Sequence, residues 1–380
     1  MEKYKVALIH NIIAPYRIPF FERLYEHPSI DLSIYFCAKT HKLRKWDILE
    51  SDRYNYEILS GITLELVGIT YHINPPIISK LIKEKYDVVI LNGTTNFTTQ
   101  AAFITSKFLK TPTILWSEGI ESAQSLLGKF ISPLTKYIVR NVDAVVVPGT
   151  MSRDFHIKQG AVPEKIFIAP NIVDNEMFML QSSKLKKEKE RLKQELNIQN
   201  EQVILFVGQL IKRKGSEYLI RAYRKLKEEY DNVCLVIIGD GVLKSKLEEI
   251  CIEEHIEDVR FTGWVSEEQK IIYYSISDLF VLPTLSDLCP LVLNEAMACG
   301  LPVISTNAAG CAMDMITPGG NGFIVDAANV EQLYAVMGKI VLNEGVARKM
   351  GEKSLEIIES RYTIDEIVNG FISAIDYAIL

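Results

Sequence analysis

The sequence predicts a two-domain α/β chain in which each domain is a mainly parallel sheet wrapped by helices. Three observations carry that prediction. Short apolar runs of strand length alternate with helix-period segments along the chain, the pattern of parallel α/β sheets. The 380 residues exceed what one ordinary hydrophobic core holds, so two domains of roughly 150–200 residues are expected. The segment Ala169-Pro-Asn-Ile-Val-Asp174 divides the pattern into two halves.

In the first half, strands are expected near 5–9, 31–37, 87–91, 112–116, 143–147 and 166–169. Helices fall between them at Pro19–His27, at Thr98–Leu109 and in a stretch before Asn141. A Lys- and Glu-rich stretch from Lys184 to Glu195 carries charge at every helical phase and reads as a solvated helix entering the second half. Strands then follow at Val203–Val207, Val233–Ile238, Val259–Thr262, Leu279–Leu282, Pro302–Ser305 and Gly322–Val325. Helices intervene at about 216–229, 243–254, 267–275, 292–299 and 329–342. The chain ends with Ile364, Ile367, Val368, Phe371, Ile372 and Ile375 on one apolar stripe, a helix that must pack on something. It is assigned back to the first domain. The domains are therefore placed at 1–172 with 363–380, and at 173–362.

Composition narrows the function. Hydrophobic residues at 48% and charged residues at 24% fit a soluble globular enzyme. Residues 1–175 carry 20 Lys/Arg against 17 Asp/Glu and the remainder 22 against 31, so the first half is mildly basic. That balance fits an acidic acceptor, an anionic membrane surface or ordinary surface variation. No domain-wide basic stripe accompanies the aromatics, so no nucleic-acid partner is expected. The six cysteines form no C-x-x-C pair, and several lie in apolar runs, which suits buried thiols in a reducing compartment. The amino terminus enters a strand directly and reads without a secretory leader. Residues 88–106 lack charge, but Asn92, Thr94, Thr95, Asn96, Thr98, Thr99 and Gln100 would be costly in lipid, so no membrane span is expected.

The chemistry concentrates in Phe280–Val303. A strand ends at Pro283, a loop follows, Pro290 fits the first helical position, and Gly300 with Pro302 fits a helix stop. The N–H groups of Leu291 and Val292 would then point out of a helix N-terminus at the carboxyl edge of a parallel sheet. Such a site binds phosphate through backbone donors and the helix dipole. One turn inside, Glu295 is placed to turn a carboxylate toward sugar hydroxyls. A strand, a loop and a helix with one Glu is also a common structural arrangement.

The stretch resembles the signature of the large retaining glycosyltransferase family with the E-x7-E motif, family 4 of the GT-B fold. Other pieces appear in order: Val207-Gly-Gln-Leu-Ile-Lys-Arg-Lys-Gly215, Ile238-Gly-Asp-Gly241, Phe261-Thr-Gly-Trp-Val265, Gly319-Gly-Asn-Gly-Phe323, and Pro170-Asn171-Ile-Val-Asp174 with Phe178. The resemblance implies two Rossmann-like domains with parallel sheets facing across an interdomain cleft. It implies an acceptor-side first domain and a donor-binding second domain. Lys214 would neutralise the leaving diphosphate, Leu291 and Val292 would cradle the distal phosphate, and Glu295 would hold the ribose hydroxyls. Asp287 stands where the first Glu belongs and would contact the transferred sugar. Gly208, Gln209, Gly241 and Asn171 complete the donor-binding set.

Departures from the family pattern mark where this chain differs. Asp287 is shorter than Glu by one carbon–carbon bond, roughly 1.5 Å. Gln209 replaces the usual Arg, and Ala309-Gly310 stands where two glycines often occur. In the first domain Glu118 occupies the place where many relatives carry a histidine, which suggests a catalytic or acceptor-side role; a loop carboxylate without function is the other reading. Tyr16 and Arg17 stand at the mouth of strand one, where Arg17 would meet an acidic or phosphorylated acceptor or else pair with a nearby carboxylate.

No D-x-D triplet occurs, nor any His/Cys/carboxylate cluster at metal-ligand spacing, so a metal-independent site without cofactor is expected. The expected partners are a UDP- or GDP-sugar and a glycan or lipid-linked acceptor. A non-catalytic nucleotide-sugar-binding partner subunit is the competing reading, and sugar-nucleotide epimerisation a third that lacks an identifiable base. Residues 125–140 set Leu126, Leu127, Phe130, Ile131, Leu134, Tyr137 and Ile138 beside Lys129, Lys136 and Arg140. On one continuous helix they would rest on an anionic membrane. A shorter helix starting at Ser132-Pro133 would instead turn its apolar residues to the sheet. The expected location is the cytoplasm, at the inner membrane surface if that segment docks there.

Overall fold

The computed structural model describes residues 3–40, 52–66, 69–119 and 133–380. The chain divides into two compact units, Met1–Asn171 with Ile364–Leu380, and Ile172–Thr363.

In the first unit the strands are β1 (Tyr4–Ile12), β2 (Ile30–Ala38), β3 (Tyr56–Ile58), β4 (Ile62–Leu66), β5 (Ile69–Ile73), β6 (Val88–Asn92), β7 (Thr113–Trp116), β8 (Ala144–Val147) and β9 (Ile166–Ile168). Among the described residues, seven of them form one parallel sheet in the order β3-β2-β1-β6-β7-β8-β9, while β4 and β5 pair antiparallel apart from it. Its helices are α1 (Ile18–Tyr25), α2 (Pro76–Glu84), α3 (Phe97–Leu109), α4 (Pro133–Asn141) and α5 (Thr150–Gln159). The apolar strand runs follow from helices covering both faces: Val6–Ile9 and all of β8 are buried. The strand order reverses beside β1, and at such a switch point the loops leaving the carboxyl ends of the strands are open to ligands.

In the second unit helices α6 (Asn175–Leu185) and α7 (Lys189–Glu195) precede β10 (Gln202–Val207), α8 (Ser216–Glu229), β11 (Val233–Ile238), α9 (Lys244–Glu253), β12 (Val259–Gly263) and α10 (Glu267–Ile276). Then come β13 (Leu279–Leu282), α11 (Leu291–Ala298), β14 (Val303–Thr306), α12 (Ala312–Met315), β15 (Gly322–Val325), α13 (Val330–Val341) and α14 (Glu344–Arg361). The sheet order β12-β11-β10-β13-β14-β15 is again parallel, with its switch point between β10 and β13. Both carboxyl-end loops at that point carry candidate residues.

The last helix, α15 (Ile364–Ile379), belongs to the first unit. Phe371 is fully buried, its ring 4.8 Å from Phe20 and 4.9 Å from Trp116. Among the described residues no helix is long and apolar enough to cross a membrane. Half of the segment read as a membrane-resting helix, including Leu126, Leu127, Lys129, Phe130 and Ile131, lies outside the described residues. Its described part, α4, starts at Pro133, buries Ile138 and Val139, and leaves Tyr137 exposed.

Candidate active site

At the switch point of the second unit, β10 runs out at Val207 into the glycine–basic loop. Lys212–Lys214 form one tight helical turn, and Gly215 follows at φ +70°. A side chain there would place its Cβ 2.0 Å from the carbonyl oxygen of Pro283, so glycine lets this loop press on the end of β13. The contact is hydrogen-bonded: Leu285 N–H donates to the Arg213 carbonyl at 2.8 Å, and the Thr284 hydroxyl donates to the same oxygen at 3.0 Å. Lys214 and Asp287 are thereby brought together, and the Lys214 ammonium donates directly to Asp287 Oδ2. Arg213 lies 3.4 Å from the other carboxylate oxygen and donates to the Ser286 carbonyl at 2.8 Å.

The Asp287 backbone is fixed as firmly as its side chain. Its N–H donates to the Ala308 carbonyl at 3.1 Å, and Gly310 N–H donates to the Asp287 carbonyl at 2.9 Å. A Cβ on Gly310 would sit 2.0 Å from the Leu288 carbonyl oxygen, whereas Ala309 is accommodated in full burial. Only the second residue of that pair has to be glycine.

Pro290, expected at the first helical position, stands one place before helix α11. Pro290 is its N-cap, with an extended ψ of 101°, and Leu291 takes the first helical position. Leu293 N–H donates back to the Pro290 carbonyl at 3.0 Å, while Leu291 and Val292 precede any i−4 acceptor in the helix. Both are half-buried, as are Gly208 and Gly241, and Gln209 is exposed. The helix stops at Gly300, which has φ +64°.

Glu295, expected to face sugar hydroxyls, is 6% exposed and has both oxygens engaged. Lys270 donates to Oε1 at 2.8 Å, and the Tyr274 hydroxyl donates to Oε2 at 2.8 Å. Burial and then the Glu295 charge push the Tyr274 phenol well above its ordinary range, so it stays a protonated donor.

The first-unit candidates form a separate cluster. Glu118, just past β7, accepts from the Arg17 guanidinium and from the Asn171 amide, the latter at 2.8 Å. Arg17 Nη2 also reaches Asn171 Oδ1 at 3.4 Å. Arg17 is 8% exposed and pairs with Glu118, the carboxylate pairing that the sequence left open for it. Asn171 lies at the end of the first unit and donates to the same carboxylate. The guanidinium stands 4.3 Å from the Trp116 ring and 5.2 Å from Tyr16, which explains why an Arg suits this apolar place. Nearby His10 is held down to about 3 by burial and by the Arg17 charge. It is neutral, with Nδ1 donating to the Ile12 carbonyl at 2.9 Å.

Glu118→Gln keeps the shape and loses the charge opposite a buried guanidinium. It is expected to lower unfolding free energy by about 1–3 kcal/mol in urea denaturation. An unchanged midpoint would assign the neutralisation of Arg17 to other groups.

Sequence reasoning passed over Arg213, although the run Lys212-Arg213-Lys214 signalled a second cation. Lys270 and Tyr274, the partners of Glu295, gave no sequence signal because they lie on another helix.

Two α/β units with basic and acidic residues gathered at a switch point beside a helix N-terminus set the comparison with known proteins. Residues 188–356 match the family described as glycosyl transferases group 1. An uncharacterized glycosyltransferase of Haemophilus influenzae is 30% identical over 166 residues, 43% of this chain and 46% of the relative. The alpha-monoglucosyldiacylglycerol synthase of Streptococcus pneumoniae is 30% identical over 186 residues, 47% of this chain and 42% of the relative. The chain spans about half the length of these curated relatives. The crystal structure of Anabaena Alr3699/HepE in complex with UDP superposes with a TM-score of 0.76 at 17% identity, covering 98% of this chain and 99% of that one. The fold is GT-B, two Rossmann-like α/β units.

Proposed function

We propose that the chain is a retaining, metal-independent glycosyltransferase that moves a sugar from a UDP- or GDP-sugar to a glycan or lipid-linked acceptor. The second unit is the donor-binding side and the first the acceptor side. The observation that carries this reading is the Lys214–Asp287–Arg213 cluster at the switch point, beside the open N-terminus of α11. Support comes from the group 1 family match, from a relative named for glycolipid synthesis and from a UDP-bound neighbour of the same fold. Retention follows from the family resemblance.

In this reading the donor diphosphate takes the place of Asp287 as the anion between Lys214 and Arg213. The Leu291 and Val292 N–H groups hold the distal phosphate, along the favourable end of the helix dipole. The released Asp287 carboxylate, fixed through its backbone to Ala308 and Gly310, is then placed to accept from hydroxyls of the transferred sugar. Lys214 and Arg213 supply positive charge where negative charge develops on the leaving diphosphate. Glu295, anchored by Lys270 and Tyr274, is the candidate for the ribose hydroxyls, and Gly208, Gln209 and Gly241 line the donor side. Tyr16 and Glu118 lie on the acceptor side, with Arg17 holding Glu118 in position. Lys136 and Arg140 on α4 are candidates for contact with an anionic membrane surface.

Asp287→Ala tests the exchange of anions. Turnover is expected to fall at least about tenfold, while affinity for the nucleoside diphosphate stays level or rises, because a competing carboxylate is gone. Parallel loss of affinity and fold stability would make Asp287 a loop anchor only. Equal turnover in mutant and wild type would favour a non-catalytic, nucleotide-sugar-binding role.

A further inference from the structure

Helices α2, α3 and α4 lie side by side on one face of the first sheet. They lead into the neighbouring strands β6, β7 and β8, and Ile77, Leu81, Ala102, Phe103, Ile138 and Val139 bury their inner sides in one core cluster. Helix α2 packs on α3, and the Phe103 ring meets Tyr137 edge-on at 6.2 Å, which joins α3 to α4.

The outer sides of the three helices repeat one pattern. On α3, Ile104, Lys107 and Phe108 stand at offsets of three and four, and Phe108 is 85% exposed. On α2 the exposed residues include Ile78, Ile82 and Lys83, and on α4 Lys136, Tyr137 and Arg140. Leu109 and Lys110, at the end of α3, are exposed as well. Single apolar residues on a surface are ordinary, but a series of them across three adjacent helices marks an interaction surface.

Charge selects the partner. The three helices hold five Lys/Arg against one carboxylate, Glu84, which pairs with Lys5. Lys80 and Lys107 are offset by Glu57 and Asp143. Lys83, Lys110 and Lys136 enter no ion pair among the described residues. A second copy laid symmetrically on this face would oppose like charges. A layer of anionic headgroups instead accepts the ammonium groups while the isoleucines and the Phe108 ring enter the acyl boundary. We propose that the outer face of α2, α3 and α4, centred on Ile104 and Phe108, docks on an anionic lipid surface. This deepens, and in that respect rests on, the membrane reading of Lys136 and Arg140 above, and it asks nothing of the donor site.

The test is sedimentation of the full chain with vesicles of phosphatidylglycerol and phosphatidylcholine, and with phosphatidylcholine alone, at low and high salt. Wild type is expected to bind the anionic vesicles at least about tenfold more tightly than the neutral ones and to lose most of that preference at high salt. Ile104→Ser/Phe108→Ser removes apolar contact and should weaken binding at low salt at least about tenfold. Lys83→Glu/Lys110→Glu should weaken it by a similar factor. All four side chains are exposed, so both variants should keep the wild-type circular dichroism. Wild type left in the supernatant with anionic vesicles at low salt overturns the proposal, and so does binding that neither variant weakens. A lipid-free dimer in sedimentation equilibrium that Ile104→Ser/Phe108→Ser dissociates would make this face a self-contact and overturn it too. Poly-glutamate bound more tightly than the anionic vesicles would do the same in favour of an acidic polypeptide. Vesicle binding needs neither donor nor acceptor, so its failure leaves the sugar-transfer reading standing and is separable from it.

Discussion

Replacing Lys214 with Ala is expected to lower turnover by about a hundredfold or more, on the order of 3 kcal/mol of transition-state stabilisation. The side chain is only 13% exposed and points its ammonium at Asp287, so its charge acts in a partly water-excluded place. There an ammonium stabilises a leaving diphosphate more than it would in water. Arg213 remains within 3.4 Å of Asp287, which keeps that carboxylate from being stranded in the mutant. Lys214 also lies in a turn closed by its own backbone, with its N–H donating to the Ile211 carbonyl at 2.9 Å, so the fold should persist. Steady-state release of nucleoside diphosphate, with circular dichroism as the fold control, measures the effect. Near-normal turnover in a folded mutant removes Lys214 from the mechanism.

The second large effect concerns stability. Phe371→Ala is expected to cost about 3–5 kcal/mol of unfolding free energy, as deletion of a fully buried aromatic ring does. The ring fills the space between Phe20 on α1 and Trp116 at the end of β7, and no part of it meets water. Alanine would leave a cavity against two other rings and remove the edge-to-face contact with Trp116 at 88°. Trp116 in turn lies against the Arg17 guanidinium, so the cavity should also loosen the Arg17–Glu118 pair. Urea unfolding followed by tryptophan fluorescence reads both. A loss below about 1 kcal/mol would show that α15 contributes little to the first unit, against the packing seen.

Much of the fold was legible because both sheets are parallel and buried. Their strands read as apolar runs, and Val233–Ile238, Leu279–Leu282 and Gly322–Val325 coincide with the sequence expectations. Elements without an apolar run or stripe were not legible. The β4–β5 pair mixes Thr63 and His72 into strands of five residues, and the short edge strand β3 has only three. Helix α14 buries Met350, Ile357 and Ile358, but Gly351 and Ser354 interrupt that stripe where they approach the chain around Gly300 and Leu301. Pro290 was displaced by one position because proline suits an N-cap with extended ψ as well as the first turn.

The candidate site was legible where chemistry is written in consecutive residues. The run from Asp287 to Glu295 and the glycine–basic loop stood out, since loop, helix start and carboxylate spacing are local. What remained hidden were pairings between distant segments. Arg17 meets Glu118 across 101 positions, and Lys214 meets Asp287 across 73. Those partners decide whether a charge faces a ligand or another side chain, and only the three-dimensional arrangement supplies them.

The Lys214–Asp287 site is expected to bind a nucleotide sugar and to serve the transfer of its sugar. The most direct measurement is nucleoside diphosphate release from a panel of UDP- and GDP-sugars in excess EDTA, with and without glycan and lipid-phosphate acceptors. The predicted result is release from at least one donor that rises with acceptor, persists in EDTA and collapses in Lys214→Ala. Nucleotide-sugar binding without acceptor-dependent release, for every donor and acceptor offered, would contradict it.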